Sequence, residues 1–246
     1  MTSFFFHIGR YIMLLGNMFR SLERFPIYYR LTLSEIVSFI GGSLVIVTVI
    51  SVFIGAVTTL QIAYQLVTSF VPRSVIGTIV SVTTLLELSP TVLNFILAGR
   101  IGSKIASEIG TMRVTEQIDA LEVMGINSAA YLVLPKIVAG LISIPVLVTV
   151  SAFLAHFGGI VVGDLGGAVT MSEFKQGLQE YYEPFPVIVM YVKAFTFGFL
   201  ITSVSAYQGF FTKGGALEVG ASSTKAVVYS CLAMVFADFL IAQLML

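Results

Sequence analysis

Residues 38–67 read SFIGGSLVIVTVISVFIGAVTTLQIAYQLV, and this stretch decides the fold class. No charged side chain lies between Glu35 and Arg73. A helix crosses about 30 Å of hydrocarbon with roughly 20 apolar residues, so the run predicts a first membrane helix longer than a bilayer is thick. The rest of the chain has the same character. Of 246 residues, 57% are hydrophobic and 11% charged, and the mean hydropathy is +0.98. Such a composition exposes too much apolar surface for water. It excludes a soluble globular protein and predicts an all-α integral membrane protein.

The charges outside residues 38–67 mark out four further spans. The second runs from Ser74 to Gly99, interrupted by Glu87 and Pro90, and the third lies between Lys136 and Asp164 despite Pro145, His156 and the Gly158/Gly159 pair. A fourth covers Phe185 to Phe211 with Lys193 near its start, and a fifth runs from Ala226 to the C-terminus with Asp238 inside it. Lys and Arg favour the cytoplasmic side of such chains. With the N-terminus inside, Arg10, Arg20, Arg24, Arg30, Arg100, Lys104, Arg113, Lys136, Lys213 and Lys225 fall on that side, against Arg73 and Lys175 outside. The expected topology has a cytoplasmic N-terminus and an external C-terminus.

Residues 1–30 predict an interfacial helix. Phe4, Ile8, Tyr11, Leu15, Met18 and Leu22 recur at helical spacing opposite Ser3, His7, Arg10, Asn17, Ser21 and Arg24, and no small-residue cleavage site follows. Tyr28, Tyr29, Tyr131, Tyr181 and Tyr182 sit at span ends, where an aromatic belt belongs. Cys231 is the one cysteine, so neither an intrachain disulfide nor a multi-cysteine metal site is available, and no metal site or catalytic set is expected. One membrane domain, 1–246, fills the chain.

Between the second and third spans lies a polar island, EIGTMRVTEQIDALEVMGINSAAYLVLP at residues 108–135. Val114, Ile118, Leu121 and Met124 fall on one helical stripe, and Glu116, Asp119 and Glu122 form an acidic line on another. With Thr115 as N-cap and Gly125 as stop, the pattern predicts a short amphipathic cytoplasmic helix within 113–127. It reads either as a plain connector resting on the membrane or as a surface for a protein partner. Acidic residues beside anionic lipid favour the partner.

The run LLELSPTVLNFILAGRIGSKIASEIGTMRVTEQIDALEVMGIN resembles the signature of the MlaE family, permease subunits of ABC transporters that move phospholipids between the membranes of Gram-negative bacteria. The likeness rests on AGR at 98–100, Gly102–Ser103, EIG at 108–110, Met112–Arg113 and TEQ at 115–117. It extends to FIG at 53–55, Leu60–Gln61 and Asp238–Phe239. The resemblance implies a coupling helix at Thr115 to Asn127 that sits in a groove of a cytoplasmic ABC ATPase, with Thr115, Glu116, Gln117, Ile118, Asp119, Leu121, Glu122 and Met124 at the contact. It also implies two permease copies, an ATPase dimer that uses ATP and Mg, a periplasmic MCE-domain ring and, in some systems, a small STAS-domain protein. The location implied is a Gram-negative inner membrane, the cargo phospholipid, and the physiological role outer-membrane lipid asymmetry. No nucleic-acid partner and no cofactor in this chain are expected. No G-x-x-x-x-G-K-[ST] loop occurs, so ATP hydrolysis by that route belongs to another chain.

The family commonly has Arg-Glu-Leu-Gly-Pro where this chain has Leu86-Glu87-Leu88-Ser89-Pro90, so Glu87 needs a cation from elsewhere. A charged residue at mid-membrane costs roughly 2.5 to 3.5 kcal/mol, which turns Glu87 toward the bundle or a wet cavity. It either meets a lipid headgroup or bonds a neighbouring helix at a kink near Pro90. Lys193 and Asp238 are candidate partners, although Lys193 is expected to snorkel to the outer interface. Thr58, Gln61, Gln65 and Thr68 form a polar stripe along the first span. With Leu66, Phe70 and Leu88 it offers the mixture that a lipid pathway through Gln61, Gln65, Leu66, Glu87 and Leu88 requires, or else bonds to neighbouring helices. His156 is expected to be packed or hydrogen-bonded. Residues 165–184 predict an external loop with a short helix. The alternative function is a proton-coupled secondary transporter of a lipophilic substrate using Glu87, Lys193 and Asp238 as a relay; five spans without an inverted repeat argue against it.

Overall fold

In the computed structural model of the chain, residues 2–18, 25–66, 72–180 and 182–245 are described, without the side chains of 2–4 and 25. Arg20, Ser21, Leu22, Arg24, Thr68, Phe70 and Tyr181 lie outside the described residues, as do the side chains of Ser3 and Phe4. The elements are α1 (Thr2–Asn17), α2 (Phe25–Gln65), α3 (Ser74–Thr83), a π-helical stretch (Thr84–Val92), α4 (Leu93–Leu97), a second π-helical stretch (Ala98–Gly102), α5 (Ser103–Val114), α6 (Gln117–Val123), α7 (Ser128–Leu165), α8 (Met171–Glu180), α9 (Phe185–Phe210) and α10 (Ala216–Met245). Among the described residues five helices are long and apolar enough to cross a membrane, with Ser74–Val114 counting as one. At 41 residues, α2 is about 60 Å long, twice the hydrocarbon thickness. Half or more of the most apolar window of α7 and α9 is buried, against 22% for α2 and 11% for α10.

The chain forms two compact units. Met1–Gly42, Phe95–Ser143 and Phe195–Phe239 make the first; Ser43–Asn94, Ile144–Ala194 and Leu240–Leu246 make the second.

In the first unit, α1 packs through residues of both expected faces, His7 and Arg10 of the polar side and Tyr11 and Met18 of the apolar one. His7 Nδ1 lies 2.8 Å from the Tyr207 hydroxyl, and the Arg10 guanidinium stacks 3.9 Å above the Phe211 ring. Tyr11 and Ser203 share a 2.8 Å hydrogen bond. Burial lifts the Tyr11 phenol above its ordinary pKa, a shift the Ser203 bond partly offsets. Leu14 and Met18 are buried, while Phe5, Phe6, Ile12 and Met13 are exposed. Of the expected apolar stripe, Met18 is buried and Tyr11 and Leu15 are half-buried, whereas Ile8 is exposed. The helix ends at Asn17, and residues 25–30 already belong to α2.

The first unit also holds Lys136, 3% exposed on α7, between Glu35 of α2 at 2.5 Å and Glu108 of α5 at 2.9 Å. One cation between two carboxylates ties three helices. The second span does not stop at Gly99 but continues to Val114, which brings Glu108 within reach of Lys136. The family-like residues around it follow from packing. A Cβ at Gly102 would lie 2.8 Å from Ser205 Oγ, and one at Gly209 would lie 2.7 Å from the Ala106 carbonyl oxygen.

In the second unit α2 and α7 pack along two rows of small residues in the same register. Ser51 donates to Ser151 at 2.7 Å. A Cβ at Gly55 would sit 1.9 Å from the Ala155 carbonyl oxygen, and one at Gly158 would sit 2.2 Å from that of Val52. Small residues every fourth position let helix backbones meet closely, the packing device of membrane helices. Both residue numbers rise together, so α2 and α7 are parallel here. His156 bridges α7 to α3, its Nε2 3.1 Å from Ser81 Oγ and its Nδ1 2.5 Å from the Ala152 carbonyl oxygen, as expected of a hydrogen-bonded helix residue.

The short helix expected within 165–184 is α8. It crosses α3 where Gly77 and Gly177 allow contact: a Cβ at either would come within 2.5 Å of the other helix's backbone oxygens. Its start is a capping box. The Thr170 amide donates to Glu173 Oε2 at 2.9 Å, and the Glu173 amide to Thr170 Oγ1 at 3.3 Å. Hydrogen bonds from the Thr170 backbone and side chain, with a further contribution from Arg73, hold the Glu173 carboxyl below its ordinary value of 4.5. A depressed folded pKa stabilises above the ordinary value, and the gain disappears as pH falls through the folded one. Amide-exchange protection of α8 is therefore expected to hold at neutral pH, decline below about 4.5, and lose that dependence in Glu173→Gln.

Candidate functional site

The π-helical stretch Thr84–Val92 contains Pro90. Proline has no N–H to return to the carbonyl four residues back and would clash with it in a regular α-helix, so the turn widens, as π-turns in membrane helices do near functional groups. The carbonyl four residues back is that of Leu86. It accepts a hydrogen bond from Lys193 Nζ at 2.8 Å, and the same ammonium donates to Glu87 Oε1 at 2.8 Å. Thr91 donates to Glu87 Oε2 at 3.1 Å. The side chain of Lys193 is 0% exposed and that of Glu87 46%.

This corrects the expectation that Lys193 snorkels outward. Snorkelling needs a clear route to water, and the stem of Lys193 is enclosed. The carboxylate and the carbonyl offset the desolvation of a side chain so buried. Lys193, from α9, thus supplies the cation that Glu87 lacks beside it in sequence. The carboxylate is half-exposed while its counter-charge is hidden, so Glu87 presents an acceptor already oriented by Lys193 and Thr91 for a donor that approaches from outside.

The remaining members of the expected lipid pathway lie in the same unit. Gln61 and Gln65 are exposed on α2, and Leu88 is half-buried. Leu66 is half-buried against the cluster of Ile76, Val80, Val169 and Phe174, so it is chiefly a packing residue. Thr58 returns its hydroxyl to the Ile54 carbonyl at 2.8 Å, a local bond that spends the polarity of that position. Thr68 and Phe70 are outside the described residues.

In the first unit, α6 is shorter than expected and begins differently. Thr115 does not cap it: its hydroxyl donates to the Thr111 carbonyl at 2.8 Å and its backbone ends α5. Glu116 takes the N-cap position in the left-handed region, with φ of 60°. The stop is as expected. Gly125 has φ of 78°, with Ile126 N–H donating to the Leu121 carbonyl and Gly125 N–H to that of Glu122, both at 3.0 Å, a Schellman ending that a glycine accepts without strain. Asn127 then caps α7 by accepting the Ala130 N–H at 3.2 Å, and its Nδ2 reaches the Asn17 carbonyl at 2.7 Å.

The apolar stripe and the acidic line divide further in three dimensions. Ile118 is wholly buried and Leu121 half-buried, whereas Met124 is 65% exposed. Val123 is 89% exposed and was not on the stripe. Asp119 is held by Arg113 at 2.7 Å, and Glu122 accepts a 2.7 Å hydrogen bond from Ser128. Glu116 and Gln117 are exposed. The loop therefore presents an apolar tip of Val123 and Met124 with carboxylates behind it. The Arg113–Asp119 spacing of six residues crosses the turn at Glu116, so a periodic reading of a single helix does not find it.

The family profile described as Permease MlaE matches residues 32–244. A probable ABC transporter permease protein of Rickettsia bellii is 38% identical over 96% of this chain and 91% of its own length. The intermembrane phospholipid transport system permease protein MlaE of Haemophilus influenzae is 29% identical over 82% of this chain and 78% of its own. The chloroplastic protein trigalactosyldiacylglycerol 1 of Arabidopsis thaliana is 29% identical over 93% of this chain and 65% of its own length. Through the match that runs from the start of α2 to the end of α10, the chain belongs to the MlaE family of ABC transporter permeases.

Proposed function

We propose that the chain moves phospholipid between the inner and outer membranes of a Gram-negative bacterium as the permease of an ABC transporter, driven by a separate ATPase dimer through α6. The observation that carries this is the exposed tip of α6. Val123 and Met124 project from a short helix whose inner face is anchored by buried Ile118 and whose end is fixed by the Gly125 turn. Exposed apolar side chains on a rigid, polar loop fit a groove in a protein partner.

In this reading two copies assemble, each with one ATPase subunit that uses ATP and Mg, beneath a periplasmic MCE-domain ring, with a STAS-domain protein in some systems. The N-terminus is cytoplasmic and the C-terminus periplasmic. Closure of the ATPases pushes both α6 helices, and the cavity between the copies changes width. Gln61, Gln65 and Leu88 line the lipid route beside Glu87, whose carboxylate takes a hydrogen bond from the headgroup. Leu66 supports this wall from behind.

Val123→Asp with Met124→Asp is the test. Neither side chain is buried, so the variant is expected to fold and to lose ATPase copurification and lipid-stimulated ATP hydrolysis by tenfold or more, since about 1.4 kcal/mol of lost contact is tenfold. Undiminished copurification removes α6 as the contact. Complete lipid transport by the chain alone in ATP-free proteoliposomes overturns the whole reading. For the pathway, a photoreactive phospholipid is expected to label Gln61→Cys, and absence of labelling there and at Glu87→Cys returns both positions to helix packing.

A further inference from the structure

Two adjoining clefts beside α1 lie apart from the proposed lipid route at Glu87 and from the exposed Val123 and Met124 tip of α6. The larger, about 570 Å³, is lined by Met13, Leu14, Ile126, Ala129 and Phe210 among others. The smaller, about 360 Å³, is lined by Lys213, Lys225, Glu218 and Tyr207 among others, and Arg10 and Phe211 line both. Arg10, Lys213 and Lys225 give the smaller cleft three cations against the single carboxylate of Glu218. Arg10 uses the face of its guanidinium on Phe211, which leaves the N–H edge to donate. Lys213 and Lys225 are exposed. The hydroxyls at the cleft floor are already satisfied: Thr212 donates to Ser222 at 2.9 Å, and Ser222 to the Gln208 carbonyl at 2.7 Å.

The position of the clefts narrows the ligand. Exposed Phe5, Phe6, Ile12 and Met13 set α1 in the surface of a bilayer, which places its inward-turned side at headgroup depth. A net positive cleft there, continuous through Arg10 and Phe211 with one whose lining mixes Met13, Leu14 and Phe210 with Asn17, Glu122 and Asn127, matches an anionic amphiphile whose phosphate sits in the smaller cleft. Arginine forks and lysine ammonium groups are the usual holders of phosphate oxygens.

We propose that the paired clefts bind an acidic phospholipid of the leaflet in which α1 lies. Arg10, Lys213 and Lys225 hold its phosphate in the smaller cleft, and its glycerol and first acyl carbons lie along Met13, Leu14 and Phe210 in the larger. This is a second lipid site, built by residues of the first unit only, apart from the pathway at Glu87.

Native mass spectrometry of the full chain in detergent, titrated with phosphatidylglycerol, phosphatidylcholine or inorganic phosphate, tests it. Phosphatidylglycerol is expected to be retained in preference to phosphatidylcholine. Lys213→Ala with Lys225→Ala is expected to weaken that retention about thirtyfold, each basic side chain near an anionic headgroup being worth about fivefold. Arg10→Lys keeps the charge, loses the planar stack, and is expected to weaken retention by a smaller factor. Both lysines are exposed, so an unchanged thermal midpoint shows that the double variant is folded. Unchanged retention in the double variant overturns the proposal. Complete displacement by inorganic phosphate reassigns the site to free phosphate and overturns the lipid. Loss of retention on substitution of Lys193 alone puts the bound lipid in the Glu87 pathway instead. Loss of ATPase copurification with unchanged lipid retention makes the basic cluster a protein contact, which overturns the proposal too.

Discussion

Glu87→Leu is expected to destabilise the chain more than Lys193→Met does, although the two side chains form one ion pair. The asymmetry comes from exposure. Removing Glu87 takes the carboxylate from an ammonium whose side chain is 0% exposed, leaving it the Leu86 carbonyl, and breaking a buried pair in this way costs about 3 to 5 kcal/mol. Removing Lys193 leaves a carboxylate that is 46% exposed, still hydrogen-bonded by Thr91, and partly solvated where it stands. Its loss is expected to be about 1 to 2 kcal/mol, nearer the cost of a broken charge-assisted hydrogen bond. The double variant Glu87→Leu with Lys193→Met is expected to recover much of the stability of Glu87→Leu alone, because no charge is then buried. Chemical denaturation of the four proteins in detergent gives the cycle. Equal losses in the two single variants would mean that the pair is equally solvated at both ends, contrary to the geometry.

Gly55→Leu carries the other large effect. At this position even the first side-chain carbon meets the Ala155 carbonyl oxygen at 1.9 Å, and the obstacle is backbone, which cannot rotate away. Overpacking ordinarily costs about 1 to 3 kcal/mol. Here the parallel rows Ser51, Gly55, Thr59 and Ser151, Ala155, Gly159 must separate, with the Ser51–Ser151 hydrogen bond lost as well, so the expected loss is at or above the upper end of that range. Gly41 lies in the same helix with nothing within 4 Å of its Cβ position. Gly41→Ala is expected to stabilise by about 0.5 to 1 kcal/mol, the helix-interior penalty of glycine. Thermal melting in detergent separates the pair: a lower midpoint, or no folded fraction, for Gly55→Leu and a slightly higher one for Gly41→Ala. A normal midpoint for Gly55→Leu would show that α2 and α7 do not meet there.

The spans were legible because insertion into hydrocarbon depends on local composition. A charge-free run such as 38–67 needs no knowledge of its neighbours to be read as membrane helix. The Gly125 stop was legible for the same kind of reason, since a positive φ is a local demand met by one residue type. The start of α6 was not. Thr115 has the chemistry of an N-cap, yet its hydroxyl bonds backward to Thr111, a choice between two local partners that depends on the turn at Glu116. The capping box at Thr170 and Glu173 was in plain view as T-x-x-E, and the small residues at 51, 55, 59 and 151, 155, 159 were likewise visible as rows of period four.

Periodicity marked α1 as two-sided without settling which residues meet the protein, because amphipathicity gives two faces and does not say which medium each one meets. Phe5, Phe6, Ile12 and Met13 are exposed apolar residues, whereas His7, Arg10, Tyr11, Leu14 and Met18 meet the protein.

By itself the sequence determined that this is a five-span helical membrane protein with a polar loop helix after its second span and an intramembrane carboxylate that needs a cation. It determined these things because hydrophobic length, helical period and the cost of a lone charge in lipid are properties of a segment. The tertiary structure alone decided that the cation is Lys193, that Lys136 joins Glu35 and Glu108, and that α1 meets Tyr207 through His7. Those are pairings across 106, 101 and 200 residues of chain, chosen by which helices lie side by side, and no local pattern carries that information.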